Sequence, residues 1–189
     1  MNAAELVKTA RRAAGVDQRA LAKRGKTSQS QLSLIESGRQ SPSFETVSRL
    51  LRSAGRQLVA IDTIRADVAT IASEIKEALQ QDNERRASRL FIQLSDNLAA
   101  EHGANRFALT IAEPEPTGSK RWDSALAALA AHWLSEESLP DPDWVGSDER
   151  TLKRSWVFAS GRVEPDAQSV PSEFRKRSVL IDRATLISV

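Results

Sequence analysis

The 189-residue sequence predicts a mainly α protein, a bundle of four to five short helices followed by an α-rich, α+β C-terminal part. Three observations carry this reading: Gly and Ser-Pro punctuation at short intervals up to residue 61, longer apolar seams at helical spacing after it, and only brief extended apolar runs near the end. Charge divides the same way. Residues 1–61 hold eleven Lys and Arg against four Asp and Glu, net +7, and the remainder is net −5. A basic segment joined to an acidic one points to a polyanion facing the first and not the second.

In the first segment, Leu6, Ala10, Ala13 and Ala14 lie at helical spacing and Gly15 supplies a stop. Asp17 is a natural N-cap for a second helix, with Leu21 and Ala22 turned inward and an end near Gly25. Ser28 caps a third helix, with Leu32 and Ile35 inward and Thr27 pointing towards the same core, and Gly38 ends it. Ser43, after Pro42, starts a fourth, in which Phe44, Val47, Leu50 and Leu51 make an apolar stripe before Gly55. Leu58 to Ile61 reads as a strand or a buried connection.

Further on, Ile64, Val68, Ile71, Ile75 and Leu79 form a narrow helical seam, available either for pairing between chains or for packing within one. Leu90, Phe91, Leu94 and Leu98 mark another helix closing at Gly103, with His102 at its end. The break at residues 80–84 makes these an antiparallel pair. Glu113 to Ser119 is a loop, and Trp122, Leu126, Leu129 and Trp133 form one face of a further helix. Beyond Pro140 and Pro142, residues 156–158 and 179–181 suit strands or buried extended chain rather than helices. The expected division is 1–61, a helical pair or connector at 62–103, and a partner- or effector-binding domain at 104–189.

Chemistry-bearing patterns are few. With no Cys there are no disulfides, thiolate nucleophiles or Cys-type metal sites, and the two histidines, His102 and His132, lack metal-ligand spacing. There is no P-loop, dinucleotide fingerprint or Gly-x-Ser-x-Gly elbow. The carboxylates Glu136, Glu137, Asp141, Asp143, Asp148 and Glu149 read as a solvated acidic loop. Neither catalysis, a cofactor nor a metal is expected. No charged segment followed by an apolar one opens the chain and no apolar run spans a bilayer, so a cytoplasmic location without membrane association is expected.

The run Gln18-x-x-Leu21-Ala22, then Thr27 to Gly38, then Ser41-Pro42-Ser43, resembles the XRE family, the phage-repressor type of helix-turn-helix, over residues 6–55. One departure is that the family usually has Gly where Lys26 stands, and the chain's own Gly25 lies one residue earlier. The resemblance implies a bundle of about five helices whose third enters the major groove of double-stranded DNA, commonly as a homodimer on paired half-sites.

At the start of the third helix Gln29 and Ser30 are the first candidates for base readout, since Gln pairs bidentately with adenine. Ser33 and Leu34 lie one turn on, and Leu34 either meets a thymine methyl or packs in the core. Gln18, at a helix start, is expected to clamp a phosphate, with Lys26, Ser28, Arg39 and Gln40 as further backbone contacts. Arg11, Arg12, Arg19 and Arg24 read as solvated charges, and Glu36 as a structural residue bonded within the bundle.

The four tryptophans all lie between residues 122 and 156. The layout resembles the antitoxin of a toxin–antitoxin pair: a DNA-binding domain for autoregulation and an appended domain for a cognate toxin. The ending, with Pro171, Phe174, Arg175 and Val179 to Asp182, resembles regulators paired with nucleotidyltransferase-type toxins. A one-component repressor sensing a small molecule is the alternative; an enzyme delivered by its DNA domain is a third reading, against which the missing catalytic motifs count.

Overall fold

The computed structural model describes residues 2–158, 165–166 and 168–187. Two compact units make up the chain, Met1–Ala60 and Ile61–Val189. Unit 1 holds four helices: α1 (Ala3–Ala13), α2 (Gln18–Arg24), α3 (Gln29–Glu36) and α4 (Phe44–Ser53). Each begins with a short polar side chain accepting from a first-turn amide: Asn2 from Glu5, Asp17 from Ala20, Ser28 from Gln31 and Ser43 from Thr46. These bonds satisfy donors that have no partner inside the helix. The core is small and continuous, with Val7, Ala10, Leu21, Ala22, Leu32, Ile35, Val47, Leu50 and Leu51 all buried.

Three expectations in this unit are corrected. Phe44 is 71% exposed, because at the first residue of α4 it lies past the packed turns that bury Val47, Leu50 and Leu51. Thr27 is half-buried and outside the core, its hydroxyl donating to Gln31 Oε1 at 2.9 Å. The run from Leu58 forms no strand, and Leu58 and Val59 are exposed at 40% and 79%; Ile61 alone packs on a core, that of unit 2.

Unit 2 is built on α5 (Val68–Gln80), α6 (Glu84–Ala100), α7 (Gly103–Ile111) and α8 (Lys120–Ser135). The three-residue turn 81–83 makes α5 and α6 an antiparallel hairpin. Helix α8 is buried on nearly all sides, and its alanines at 125, 127, 128, 130 and 131 let neighbours approach closely. Strands β1 (Trp156–Val157) and β2 (Val179–Leu180) pair in parallel, Trp156 opposite Val179, and the crossover between them carries the short helix α9 (Ser172–Arg175). The expected strands are thus present, two residues each.

The seam residues Val68, Ile71 and Ile75 are buried in the core of unit 2, while Ile64 precedes α5 and is fully exposed. That seam is therefore an intramolecular contact rather than a surface for pairing chains. The same core takes in Phe91, Trp122, Phe158, Phe174 and Val179, so the helical pair at 62–103 packs as one body with the C-terminal helices and strands.

Helix α7 and the position of His102 also differ from expectation. His102 is not at the end of α6 but in the N-cap position of α7, where its Nδ1 meets Glu137 Oε1. Glu137 also accepts from the Gly103 amide at 2.7 Å, so it caps α7 instead of belonging to a solvated loop. Its carboxyl is held below the ordinary range by the Gly103 amide, then by His102. Arg106, 3% exposed, donates from Nε to the carbonyls of Leu98 and Glu101 at 2.8 Å and so closes the end of α6 from the next helix. Among the described residues no helix is long and apolar enough to cross a membrane.

Candidate nucleic-acid interface

All four helices of unit 1 end in the same way, and this sets the turn between α2 and α3. In each, the second residue past the cap donates to the carbonyl five positions back, a Schellman motif: Val16 to Arg11, Thr27 to Ala22, Arg39 to Leu34 and Arg56 to Leu51. The motif requires one left-handed residue, which favours Gly because a side chain there crowds the backbone. Gly15, Gly38 and Gly55 fill it with φ of +65°, +72° and +74°, and after α2 it is filled by Lys26 with φ +51°.

Gly25 has an ordinary φ of −84° and is needed for space: a Cβ there would lie 2.6 Å from Leu50 Cδ2 and 3.2 Å from the Leu21 carbonyl oxygen. Arg49 Nε donates to the Gly25 carbonyl at 2.8 Å, which holds α4 against this turn. The departure from the family pattern therefore leaves the geometry of the turn intact and moves a strained backbone onto a cationic residue.

Helix α3 is positioned by its inward residues Leu32, Ile35 and Glu36, all buried. Gln29, Ser30, Ser33 and Leu34 lie on the opposite face and are exposed, and among the described residues none of their side chains makes a hydrogen bond. Leu34, at 41% exposure, is outside the core. Ser37 continues the face one turn further, with its hydroxyl turned back to the Leu34 carbonyl at 3.1 Å. Lys26, Ser28 and Arg39 are placed at the two ends of α3, Lys26 and Arg39 with Ser28 in its capping position, and Gln40 is half-buried. The Ser28 oxygen accepts from Gln31 N at 3.1 Å, which leaves its O–H free to donate.

Below this face lies an ion pair that joins three helices. Arg11 donates from Nε to Glu36 Oε1 at 2.7 Å and from Nη2 to Oε2 at 2.9 Å, and from Nη1 to the Val16 carbonyl at 3.1 Å. Gln18 Nε2 donates to Glu36 Oε2 at 2.9 Å. Burial pushes the Glu36 carboxyl up, but the bonds from Arg11 and Gln18 outweigh it and hold the group below the ordinary carboxylate range. Arg11 is thus a structural partner, not a solvated charge. Gln18 spends one amide N–H on Glu36 and keeps a second for another acceptor, so the candidate clamp is tied to the far end of α3. The pattern along the chain placed Glu36 in the bundle but carried no sign of its partners, 18 and 25 residues away.

Fold and surface together define a helix-turn-helix arrangement: two helices joined by a tight turn, the second showing a polar face in a bundle with net positive charge. Residues 7–59 match the Helix-turn-helix family model. The match supports a DNA-binding transcriptional regulator, and it lies wholly within unit 1. No curated protein and no solved structure matches the chain.

Proposed function

We propose that this protein is a sequence-specific transcriptional regulator that reads a double-stranded operator through Gln29, Ser30, Ser33 and Leu34. The observation that carries this reading is the outward face of α3, where these four side chains are exposed and unspent. A glutamine amide matches the donor and acceptor edge of adenine, serine bonds to any of several base edges, and a leucine methyl packs on thymine. Lys26, Ser28 and Arg39 flank the face, and with Gln18 and Gln40 they hold the phosphates on either side. The cationic excess of residues 1–61 adds a long-range, salt-sensitive attraction.

The regulator acts as a homodimer, since one module of this size buries too little DNA surface for selectivity and two half-sites supply it. Unit 2 takes a protein partner, in the arrangement of an autoregulating antitoxin whose toxin is encoded beside it. Supporting this is a layout in which the DNA-binding unit and a second, separately packed unit share one chain.

Operator selection from a random pool followed by gel-shift titration of wild type and Gln29→Ala tests the first part. Relaxed preference at one base pair is the expected result, and identical binding by the two proteins overturns the assignment. Co-purification of the full chain with the product of the adjacent gene tests the second, and failure of two well-folded proteins to associate ends the antitoxin reading.

A further inference from the structure

A cavity of about 450 Å³ opens in unit 2 between α5, the start of α8 and β1, with Lys76, Arg121, Trp122 and Trp156 among its walls. A second, of about 430 Å³, adjoins it, lined by Lys120, Lys153 and Arg154, with Arg121 and Trp156 common to both. The first cavity thus has Lys76 and Arg121 with the carboxylate Glu84, and the second has Lys120, Arg121, Lys153 and Arg154; together they form a cleft, bordered at Leu79 and Glu84 by a third cavity with Asp82 and Arg85, in a unit whose overall charge is negative. Among the described residues none of the five cations of the first two cavities is in an ion pair or a side-chain hydrogen bond. Elsewhere in the unit Arg106, Arg150 and Arg177 are each bonded to backbone carbonyls. Of the five cations of the cleft, Lys76 is half-buried and the other four are exposed, so water screens most of their mutual repulsion and a bound anion relieves the remainder.

The cleft also has an aromatic wall. Trp156 is half-buried, its ring 5.8 Å from that of Trp122, which is itself 3% exposed and packed against Phe91 and Phe158. This backing holds the Trp156 indole as a fixed platform. Thr117, Gly118 and Ser119 line the same cavity, and the Ser119 side chain is not used to cap α8.

From the cavity, the unpaired cations and the backed indole, we infer that this cleft binds a nucleotide, its phosphates on Arg121, Lys153 and their neighbours and its base against Trp156. An inorganic anion alone would leave the aromatic wall unused, and an apolar ligand would leave the cations unpaired. Cavities of this volume suit ligands of nucleotide size, and a base stacks on an indole irrespective of its identity. The inference goes beyond the DNA-binding reading and is independent of it, since every residue involved belongs to unit 2.

The test is calorimetric titration of the full-length protein with ATP, with tryptophan fluorescence followed in parallel. Saturable one-to-one binding is expected, weakened about tenfold by Arg121→Ala or by Lys153→Ala, each removing one charge-assisted contact. Trp156→Leu should weaken ATP while leaving the affinity for inorganic triphosphate unchanged, and Arg175→Ala, an exposed cation elsewhere in the unit, should change neither. Circular dichroism confirms that each variant is folded, and the two cation variants serve as independent checks. Absence of saturable ATP binding, or equal binding by wild type and both cation variants, overturns the inference. So does binding of a single-stranded oligonucleotide with no binding of ATP, or loss of ATP binding in Lys26→Ala, which would place the ligand on unit 1.

Discussion

Replacing Lys26 by Gly should stabilise unit 1 while weakening its hold on DNA. Lys26 is the one left-handed closing residue of the four helices that is not Gly, at φ +51°. An L-residue in this conformation costs roughly 1–2 kcal/mol, and Gly returns about 0.5–1 kcal/mol of that as added freedom in the unfolded chain. The net gain is about 0.5–1 kcal/mol. For a domain of some 60 residues this raises the melting temperature by about 2–8 °C.

Gly25→Ala, one residue earlier, should act in the opposite direction. Its new Cβ would stand 2.6 Å from the fully buried Leu50 side chain, and overpacking of this kind costs about 1–3 kcal/mol. Scanning calorimetry on the full chain reads both. Salt-dependent gel shifts should show Lys26→Gly losing affinity for all sequences alike, with the salt slope reduced by about one phosphate contact. A melting point for Lys26→Gly that is unchanged or lower would refute the claim of backbone strain, and a neutral Gly25→Ala would refute the close approach of α2 to α4.

Gln29→Ala should cost about 1–3 kcal/mol at the preferred operator and relax selectivity at one position, read by competition binding. Gln18→Ala should weaken all DNA sequences about evenly and, through the lost bond to Glu36, lower stability by about 1 kcal/mol; a changed base preference would contradict the clamp role. Because the folded Glu36 carboxyl titrates below its unfolded value, its contribution to stability is present above the ordinary carboxylate range and lost as pH falls through the folded value. Glu36→Gln should therefore destabilise unit 1 by about 3 kcal/mol at neutral pH and flatten its acid sensitivity, measured by calorimetry at pH 7 and pH 4. Light scattering should give a dimer with the seam Val68, Ile71 and Ile75 still internal, and a monomer at every concentration together with a single unrepeated half-site in footprinting would remove the homodimer.

Much of unit 1 is legible in the sequence because its signals act over one turn. Asp17, Ser28 and Ser43 cap the helices that they precede, and Gly15, Gly38 and Gly55 close the helices before them, each through bonds reaching no more than five residues. Leu34 shows where such signals stop. An apolar residue on α3 is compatible with the core or with solvent, and only the packing of α3 against α1 and α2 turns it outward. Phe44 departs from its expected burial for the same reason, since helical spacing gives a face but not the point at which neighbours cease to cover it.

In unit 2 the decisive contacts are long-range. Helix α7 lacks a side-chain cap of its own, so nothing local announces it; its cap is Glu137, 34 residues downstream. The seam of α5 has the spacing of a pairing surface, and only the presence of α6, α7 and α8 against it makes it a core.

The sequence by itself determined the helix ends of unit 1 and the starts of α2, α3 and α4, and the basic and acidic division, because caps, stops and charge are properties of neighbouring residues. Tertiary structure alone decided that Gly25 is pressed against Leu50, that Arg11 and Gln18 share Glu36, and that Lys76, Arg121 and Lys153 line two adjoining cavities. These depend on which distant segments the hydrophobic cores bring together, and local backbone preference carries no record of that choice.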